Sequence, residues 1–263
     1  MTEREFMRYI DLFAGSGGLS LGLYNAGLHG IFAVEKNKDA FSTLKYNLME
    51  RKNHFSWPNW LEMKNWDINE LLEIHSEELA ELKGSVDLVV GGPPCQGFSM
   101  AGKRKNNDIR NQLMHSYIEF IKLVQPTMLF FENVQGFTVG FKDHKDKQKY
   151  SDILVSELHE LGYNLDYKIV TMSEYGVPQN RKRFILFASK NESYEVFFDE
   201  LLKNKDCFLR DRGLKIPITI SQAINDLKKS HGEVSSKDTK AFKNGKYGRA
   251  TSAYQKLMRN NIE

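Results

Sequence analysis

Short apolar runs alternate with amphipathic stretches over the first 190 residues of the chain. The apolar runs are too short for buried helices, and several are bounded by glycine or proline, so they predict β-strands; they cover residues 9–13, 31–35, 86–90, 128–131 and 184–188. The stretches between them have helical periodicity and cover residues 18–26, 38–51, 69–82, 112–124 and 151–161. This alternation predicts an α/β fold, with a mostly parallel sheet that carries helices on both faces.

Two polar segments interrupt the alternation. Residues 97–112 are rich in glycine, asparagine, lysine and arginine, and a loop of that length in a compact domain is often functional. Residues 140–150 form a second polar segment, either a loop or disordered. From about residue 191 the pattern loosens, with a short helix near 221–227 and a polar, Gly- and Lys-rich stretch over 231–250. We therefore predict one domain over residues 1–190 and a connecting segment over residues 191–263.

The composition is that of an ordinary globular protein. Of 263 residues, 41% are hydrophobic and 27% are charged, which argues against disorder. The sequence contains no run of about 18 apolar residues and no apolar signal core near residue 1, so we expect neither a membrane span nor secretion. Cys95 and Cys207 are the only cysteines. Two cysteines make neither a disulfide scaffold nor a zinc site alone, which favours a reducing, cytoplasmic location.

The net charge of +3 is unevenly distributed. Residues 237–263 contain seven Lys or Arg residues and two acids, a local charge of +5, so the rest of the chain sums to −2. A basic end on a near-neutral body is typical of a protein with a polyanionic partner, and it is equally typical of a solvated basic tail. Charge alone leaves both interpretations open.

A glycine-rich turn, DLFAGSGG over residues 11–18, follows the first predicted strand and opens the first predicted helix. Its spacing excludes a P-loop, and the turn alone is compatible with a dinucleotide, a nucleoside cofactor or no ligand. Phe13 offers an aromatic face to a purine ring. Glu35 at the next strand end can bind ribose hydroxyls, and Asp67 at an expected third strand end can accept from an adenine amino group. Because ligands bind at the carboxyl ends of parallel strands, the three together indicate a nucleoside site.

The segment GGPPCQGFS over residues 91–99 carries the strongest chemical signal. An apolar strand runs into two glycines and two prolines, and the prolines stiffen the approach to Cys95. A lone cysteine is usually a small buried hydrophobe. Here the Gly/Pro frame and the polar loop that follows place Cys95 at the edge of the sheet, where a thiolate is a candidate covalent nucleophile.

Two later strands contribute charged side chains. Glu132 ends an apolar run in FFENV, and apolar surroundings would raise its pKa so that it acts as an acid near neutral pH. Arg181 and Arg183 lie two residues apart before the last predicted strand and point the same way if the chain is extended. Taken singly, these residues also fit a strand-end carboxylate and a surface basic pair.

Together these segments resemble the DNA (cytosine-5) methyltransferase family. DLFAGSGGLSLGL is similar to its S-adenosylmethionine motif, GGPPCQGFS to its nucleophile motif, FFENV to its glutamate motif and QNRKRFILFA to its arginine motif. The motifs occur in the family's order over residues 8–190. The resemblance implies a Rossmann-like methyltransferase fold and transfer of a methyl group from S-adenosylmethionine to carbon 5 of cytosine in double-stranded DNA, with S-adenosylhomocysteine as product. It also implies a role in restriction–modification.

The resemblance implies a role for each matching residue. Cys95 would add to carbon 6 of a flipped-out cytosine, while Glu132 would contact N3 and the amino group. Arg183 would contact O2, and Arg181 would support the Cys95 turn. The cofactor would be held by Phe13, Ala14, Gly15, Gly17, Gly18, Leu19, Glu35, Lys36, Asp67, Ile68, Pro93 and Leu113. The loop over residues 97–112 would close on the DNA, which would be contacted by Gln96, Ser99, Lys103, Arg104, Lys105 and Arg110.

The later part of the family pattern is not found in this sequence. A target-recognition region, an R-x-x-T-x-x-E-x-x-R-L-like motif and a final G-N-x-V-like motif are missing, while residues 216–227 and 250–259 are similar to segments that lead up to the recognition region. We therefore expect either a truncated catalytic part or one subunit of a split enzyme. In both cases the chain alone would bind cofactor weakly and would not methylate specific sites.

Two alternatives to a DNA methyltransferase stay open. One is a cytosine-5 methyltransferase of the same fold that acts on transfer RNA, although the continuation Gln96-Gly97-Phe98-Ser99 is more similar to the DNA enzymes. The other is a catalytically silent, partner-binding subunit, which the intact set of Cys95, Glu132 and Arg183 disfavours. A dinucleotide-dependent dehydrogenase is disfavoured by the cysteine turn.

Overall fold

The computed structural model describes residues 6–94, 109–139, 149–191, 196–236 and 239–259, without the side chains of residues 109–111. The strands and α-helices are β1 (Arg8–Leu12), α1 (Gly18–Asn25), β2 (His29–Val34), α2 (Lys38–Leu44), α3 (Ile68–Ile74), α4 (Ser76–Glu81), β3 (Leu88–Gly91), α5 (Ile109–Val124), β4 (Met128–Val134), α6 (Tyr150–Glu160), β5 (Asn164–Thr171), β6 (Lys182–Ser189), α7 (Phe197–Asp211), α8 (Ile220–Ile224), β7 (Glu233–Ser235), β8 (Lys243–Gly245) and α9 (Ala253–Arg259).

A six-stranded sheet in the order β2-β1-β3-β4-β6-β5 forms the centre of the fold. β1 pairs in parallel with both β2 and β3, and β3 pairs in parallel with β4. β6 runs antiparallel to β4, so its first residues lie beside the carboxyl end of β4. The predicted α/β class with a mostly parallel sheet is confirmed, and ligands of such sheets bind at the carboxyl ends of the strands.

Side chains of successive strand residues point to opposite faces of the sheet, and in this sheet both faces pack against helices. In β1, Ile10 and Leu12 belong to one apolar cluster, with Phe120 of α5 and Leu154 of α6. Tyr9 belongs to a second cluster, with residues of α2. This two-sided burial explains why the parallel strands are continuous apolar runs in the sequence.

The five predicted strands all occur, and the structure adds three that the pattern missed: β5 in the main sheet and the short pair β7 and β8. β5 is largely exposed and therefore has no apolar run to reveal it. The predicted helix over residues 38–51 is α2 followed by a π-helix, Lys45–Glu50. The predicted helix over residues 69–82 is two helices, α3 and α4, which meet at His75. α7, with 15 residues, is a further helix that was not among the predicted elements.

The expected strand end at Asp67 is wrong. No strand ends at Asp67, since residues 56–66 directly before it are loop and turn, and its carboxylate caps α3 by accepting from the N–H of Asn69 at 2.8 Å. An aspartate that ends a loop and opens a helix satisfies one of the helix's N-terminal donors. Asp67 nevertheless lines the cavity at the strand ends, which is described below.

The described residues form two compact units. The first consists of residues up to 169 together with residues 183–197, and the second consists of residues 170–182 together with residues from 198 onwards. The first unit contains β1 to β4, most of β5 and of β6, and α1 to α6. The second contains α7 to α9 and the small antiparallel pair of β7 and β8. The division at residue 190 stays a prediction. Among the described residues, no helix is both long enough and apolar enough to cross a lipid bilayer.

Candidate active site

The turn after β1 is held open by three residues with left-handed backbone. Phe13, Gly15 and Gly17 have φ values of 58°, 57° and 85°. A Cβ at Gly17 would press on Leu48 at 3.0 Å, so this glycine is required for packing. A Cβ at Gly15 or Gly18 would meet nothing within 4 Å, so the backbone of the turn borders open space that a ligand can fill.

Glu35 fixes this turn from the end of β2. Its Oε2 accepts from the N–H of Gly15 at 2.8 Å, and its Oε1 accepts from the N–H of Asn37 at 2.7 Å. A carboxylate oxygen can accept a second hydrogen bond, so Glu35 can hold the turn and still bind ribose hydroxyls. The carboxylate therefore joins the first two strand ends into one site.

A cavity of about 210 Å³ lies at these strand ends. It is lined by Phe13, Val34, Glu35, Lys36, Trp66, Asp67, Ile68, Gly92, Pro94 and Leu113. The lining combines apolar and aromatic walls with a few carboxylates, which is the usual composition of a small-molecule site. Six of the predicted cofactor residues are among them: Phe13, Glu35, Lys36, Asp67, Ile68 and Leu113.

Other predicted cofactor residues have different surroundings. The side chains of Ala14 and Leu19 pack into the second apolar cluster rather than into the cavity. Pro93 is buried, and the cavity is lined instead by its exposed neighbour Pro94. Only backbone atoms of Ala14 and Leu19 are therefore left for a cofactor, which stays a prediction.

Asp67 and Lys36 form an ion pair at the cavity wall. Lys36 Nζ lies 2.6 Å from Asp67 Oδ2. Partial burial opposes ionisation of Asp67, but Lys36 and the N–H of Asn69 outweigh it and hold its pKa below its usual range. Asp67 is therefore an ionised acceptor at neutral pH.

The two glycines after β3 thread the chain between neighbouring strands. Gly91 has a φ of 114°, and a Cβ there would overlap the backbone carbonyl of Leu12 at the end of β1. A Cβ at Gly92 would overlap the backbone carbonyl of Glu132 in β4. The chain therefore passes between the ends of β1 and β4 with no room for a side chain at Gly91 or Gly92, and Gly92 and Pro94 line the cavity.

Glu132 and Arg183 are brought together by the antiparallel pairing of β4 and β6. Arg183 Nε lies 2.5 Å from Glu132 Oε1. The expected apolar surroundings of Glu132 are wrong, because its side chain is 40% exposed and ion-paired. The buried amide of Asn133 donates to the carbonyl of Pro93 at 3.2 Å. The glutamate strand is thereby tied to the proline turn.

Four buried polar residues, Tyr9, Asp11, Ser20 and His54, form hydrogen bonds with one another. Asp11 Oδ2 accepts from Ser20 Oγ of α1 at 2.5 Å, and the Tyr9 hydroxyl lies 2.7 Å from His54 Nε2. Burial raises the pKa of Asp11 to about 7. Burial, with His29 and Lys52 adding to it, lowers the pKa of His54 to about 4. The hydrogen bond between Asp11 and Ser20 connects β1 to α1.

Comparison with known sequences identifies the family of this chain. The sequence model of the C-5 cytosine-specific DNA methylases matches residues 7–262. The chain belongs to this family. Among curated relatives, it is 35% identical over 187 residues to the type II methyltransferase M.XorII of Xanthomonas oryzae, an alignment that covers 69% of this chain and 40% of the relative. It is 30% identical over 229 residues to M.BspRI of Lysinibacillus sphaericus, covering 83% and 52%.

Solved structures of methyltransferases have the same fold. A prophage-encoded E. coli protein assigned as a DNA modification methyltransferase is 26% identical, with a TM-score of 0.55 over 90% of this chain and 62% of that chain. Dnmt2 of S. pombe is 22% identical, with a TM-score of 0.56 over 85% and 65%. The chain spans about two fifths of the length of M.XorII and about half of that of M.BspRI.

Several predicted residues of this C-5 methylase chain lie outside the described residues. These are Cys95, Gln96, Ser99, Lys103, Arg104 and Lys105. Arg110 lies in α5, but its side chain is not described. Arg181 is exposed, its N–H donates to the carbonyl of Gln179 at 2.9 Å, and its own carbonyl accepts from Met172. Its predicted support of the Cys95 turn stays a prediction.

Sequence reasoning about this methylase missed Trp66, Asn133 and Asp11. Trp66 lines the cavity beside Asp67, and its indole N–H donates to the carbonyl of Glu62 at 2.8 Å. Asn133 follows Glu132 directly, and Asp11 opens the glycine-turn motif. Each neighbours a predicted residue, but a pattern of residue types does not show which polar side chain is buried.

Proposed function

We propose that this chain carries the cofactor-binding and base-modifying part of a DNA cytosine-5 methyltransferase. The observation that carries the proposal is the path of the Gly92–Pro94 segment. Gly92 and Pro94 line the cavity beside Phe13 of the glycine turn, and Gly92 also packs against the backbone carbonyl of Glu132, whose side chain pairs with Arg183. Family membership supports the same reaction class. The relatives supply the further argument for DNA as substrate, since the names of M.XorII and M.BspRI are those of type II methyltransferases.

S-adenosylmethionine is the proposed cofactor, and it supplies an electrophilic methyl group when bound. Phe13 provides an aromatic face for the adenine, and Glu35 provides acceptors for the ribose hydroxyls. Asp67 is an ionised acceptor for the adenine amino group. The open space beside Gly15 and Gly18 leaves room for the rest of the cofactor. The residues present therefore fit this group.

The chain's own residues supply covalent and acid catalysis in the proposed reaction. The Cys95 thiolate adds to carbon 6 of cytosine, which makes carbon 5 nucleophilic towards the methyl group. Glu132 in its protonated form donates to N3 and accepts from the amino group, and this donation neutralises the negative charge that addition places on the ring. Arg183 pairs with Glu132, and in this proposal it also contacts O2. After methyl transfer a water molecule takes the proton from carbon 5, the electron pair left behind re-forms the double bond between carbons 5 and 6, and the thiolate leaves.

Double-stranded DNA is the proposed partner, with the target base flipped out of the stack. The phosphate contacts of Lys103, Arg104, Lys105 and Arg110, the contacts of Gln96 and Ser99, and the support of Arg181 belong to this proposal. We also propose a second polypeptide that supplies target recognition, and mixing this chain with a candidate recognition subunit tests that part of the proposal. A cytoplasmic location is a further part of the proposal.

The test of this function is transfer of a labelled methyl group from S-adenosylmethionine to mixed-sequence duplex DNA, by the chain alone and with a recognition subunit. We expect label on carbon 5 of cytosine and covalent trapping on a 5-fluorocytosine duplex, both lost in Cys95→Ser. The matched control is Cys207→Ser, because Cys207 is exposed on α7 and is expected to leave both unchanged. Label in transfer RNA but not in DNA would overturn the DNA assignment, and trapping by Cys95→Ser would overturn the nucleophile.

A further inference from the structure

The second unit carries a strongly basic hairpin that the cofactor site does not use. We define this basic hairpin as residues 228–236 and 239–249, which include the antiparallel strands β7 and β8. Its described residues carry six exposed cations: Lys228, Lys229, Lys240, Lys243, Lys246 and Arg249. Glu233 is the one acid among its described residues, which leaves a charge of +5 there. Lys237 and Asp238, outside the description, have opposite charges.

This charge lies on an ordered scaffold rather than on a solvated tail. The N–H of Lys246 donates to the carbonyl of Gly232 at 2.9 Å, and the N–H of Gly248 donates to the carbonyl of Asp226 at 2.7 Å. A Cβ at Gly248 would overlap the ring of His231, so the two ends of the hairpin are in close contact. The lysines are therefore presented by a fixed backbone.

A buried ion pair anchors the scaffold to the last helix. Arg259 of α9 donates from Nε to Asp226 Oδ2 at 3.1 Å, and the carboxylate of Asp226 is fully buried. The guanidinium of Arg259 lies 3.9 Å from the centre of the Tyr247 ring. The carbonyl of Asp226 holds Gly248, so one residue links α9 and the hairpin backbone.

Internal ion pairs neutralise little of the hairpin's charge. Lys243 Nζ lies 3.8 Å from Glu233 Oε2, and both side chains are exposed, so this pair is weak. Four of the cations recur at every third residue, at 240, 243, 246 and 249. Phe242 and Tyr247 lie between them and are 64% and 57% exposed. By contrast, α7 in the same unit carries four acids and three bases.

We propose that the basic hairpin is a sequence-independent contact surface for the phosphate backbone of duplex DNA. Lys and Arg on such a surface displace condensed counterions from the duplex, which provides affinity without reading bases. The inference rests on the proposed function, because that function makes duplex DNA the polyanion this chain meets. It adds a site in the second unit that serves binding rather than chemistry.

The experiment compares two double variants of the full chain on a duplex that contains only A·T pairs. Such a duplex has no cytosine, so its binding reports phosphate contacts and not methylation. For Lys243→Gln/Lys246→Gln we expect binding to be about tenfold weaker at low salt, equivalent to about 1.4 kcal/mol. The slope of log affinity against log salt concentration should fall by about 2, since each phosphate contact contributes about 0.9.

The control variant is Lys203→Gln/Lys215→Gln, which removes two exposed charges of the same unit outside the hairpin. It should keep the parent's slope. An unchanged slope in the hairpin variant would overturn the proposal, and so would a hairpin-dependent preference for transfer RNA over the duplex. A chain that fails to transfer methyl groups but shows the hairpin-dependent slope would overturn the proposed function alone. All variants should keep the parent's melting temperature, since these lysines are exposed.

Discussion

The side-chain amide of Asn133 donates to the backbone carbonyl of Pro93 at 3.2 Å. Asn133 is fully buried and stands next to Glu132, while Pro93 stands two residues before Cys95. One hydrogen bond therefore ties the strand that carries the candidate acid to the turn that carries the candidate nucleophile. Asn133 is a positioning residue in this arrangement, because it holds both chain segments without facing the cavity.

Replacing Asn133 with alanine should separate positioning from cofactor binding. Loss of the amide leaves the Pro93 carbonyl without this buried donor, which should cost about 1–3 kcal/mol of stability. Covalent trapping on a 5-fluorocytosine duplex should slow by about tenfold or more, while the Kd for S-adenosylmethionine stays within about twofold of the parent's. Equal losses of trapping and of cofactor affinity would show a general collapse of the site instead. Asn204→Ala on the exposed surface of α7 is the matched control.

The glycines that approach Cys95 should be intolerant of any side chain. A Cβ at Gly92 would overlap the backbone of Glu132, and backbone atoms of a central strand cannot move aside. Gly92→Ala should therefore lose about 3 kcal/mol or more of stability. Gly22→Ala in exposed α1 meets nothing within 4 Å, and it should gain about 0.5–1 kcal/mol. Urea unfolding of both variants measures the difference, and a mild effect at Gly92 would contradict the threading described above.

Sequence patterns predicted the elements whose burial is simple. The parallel strands are buried on both faces, so each is an uninterrupted apolar run in the sequence. β5 was missed because it has no continuous apolar run, although its polar and apolar residues alternate as in a half-buried strand. α7 was also missed, although Phe198, Leu201 and Leu209 lie on one helical face. Both elements carry a periodic signal that a pattern of continuous apolar runs does not contain.

Residues of the site could be predicted from the sequence where the chemistry of the ligand requires a particular residue type. They were harder to predict where only tertiary packing determines the residue. Phe13 and Glu35 lie at the cavity as expected, because strand ends of a parallel sheet converge. Asp67 also lines the cavity, but as a helix cap after a loop, so its distance from the sheet could not be inferred from strand order. The hydrogen bond of Asn133 and the burial of Asp11 depend on tertiary packing, which residue type alone does not encode.

Glu35→Gln should weaken cofactor binding more than it weakens the fold. Both carboxylate oxygens accept from backbone N–H groups, of Gly15 and Asn37, and an amide keeps only one acceptor. The amide also loses the charge-assisted hydrogen bond that the carboxylate makes to the ribose hydroxyls in our proposal, about 1.5–3 kcal/mol, which should raise the Kd for S-adenosylmethionine by about tenfold or more. Calorimetric titration measures it. Glu73→Gln, an exposed change on α3, should leave the Kd unchanged; an unchanged Kd in Glu35→Gln would remove Glu35 from the cofactor site.

Asp11 and His54 should give the stability of the protein two opposing dependences on pH. The pKa of Asp11 is raised to about 7 in the folded chain, so folding holds a proton that the unfolded chain loses near pH 4. This contribution stabilises most at low pH and is lost as the pH rises towards 7. The pKa of His54 is lowered to about 4, so its contribution is present above pH 6.5 and is lost as the pH falls towards 4.

Between about pH 4 and 6.5 the two contributions should nearly cancel in the parent, each with a slope of up to about 1.4 kcal/mol per pH unit. Asp11→Asn can still accept from Ser20, and it leaves the His54 contribution alone, so its stability relative to the parent should rise with pH. His54→Gln leaves the Asp11 contribution alone, so its relative stability should fall over the same range. Urea unfolding at several pH values measures both differences. Relative stabilities that do not vary with pH in either variant would show that neither group changes its pKa on folding.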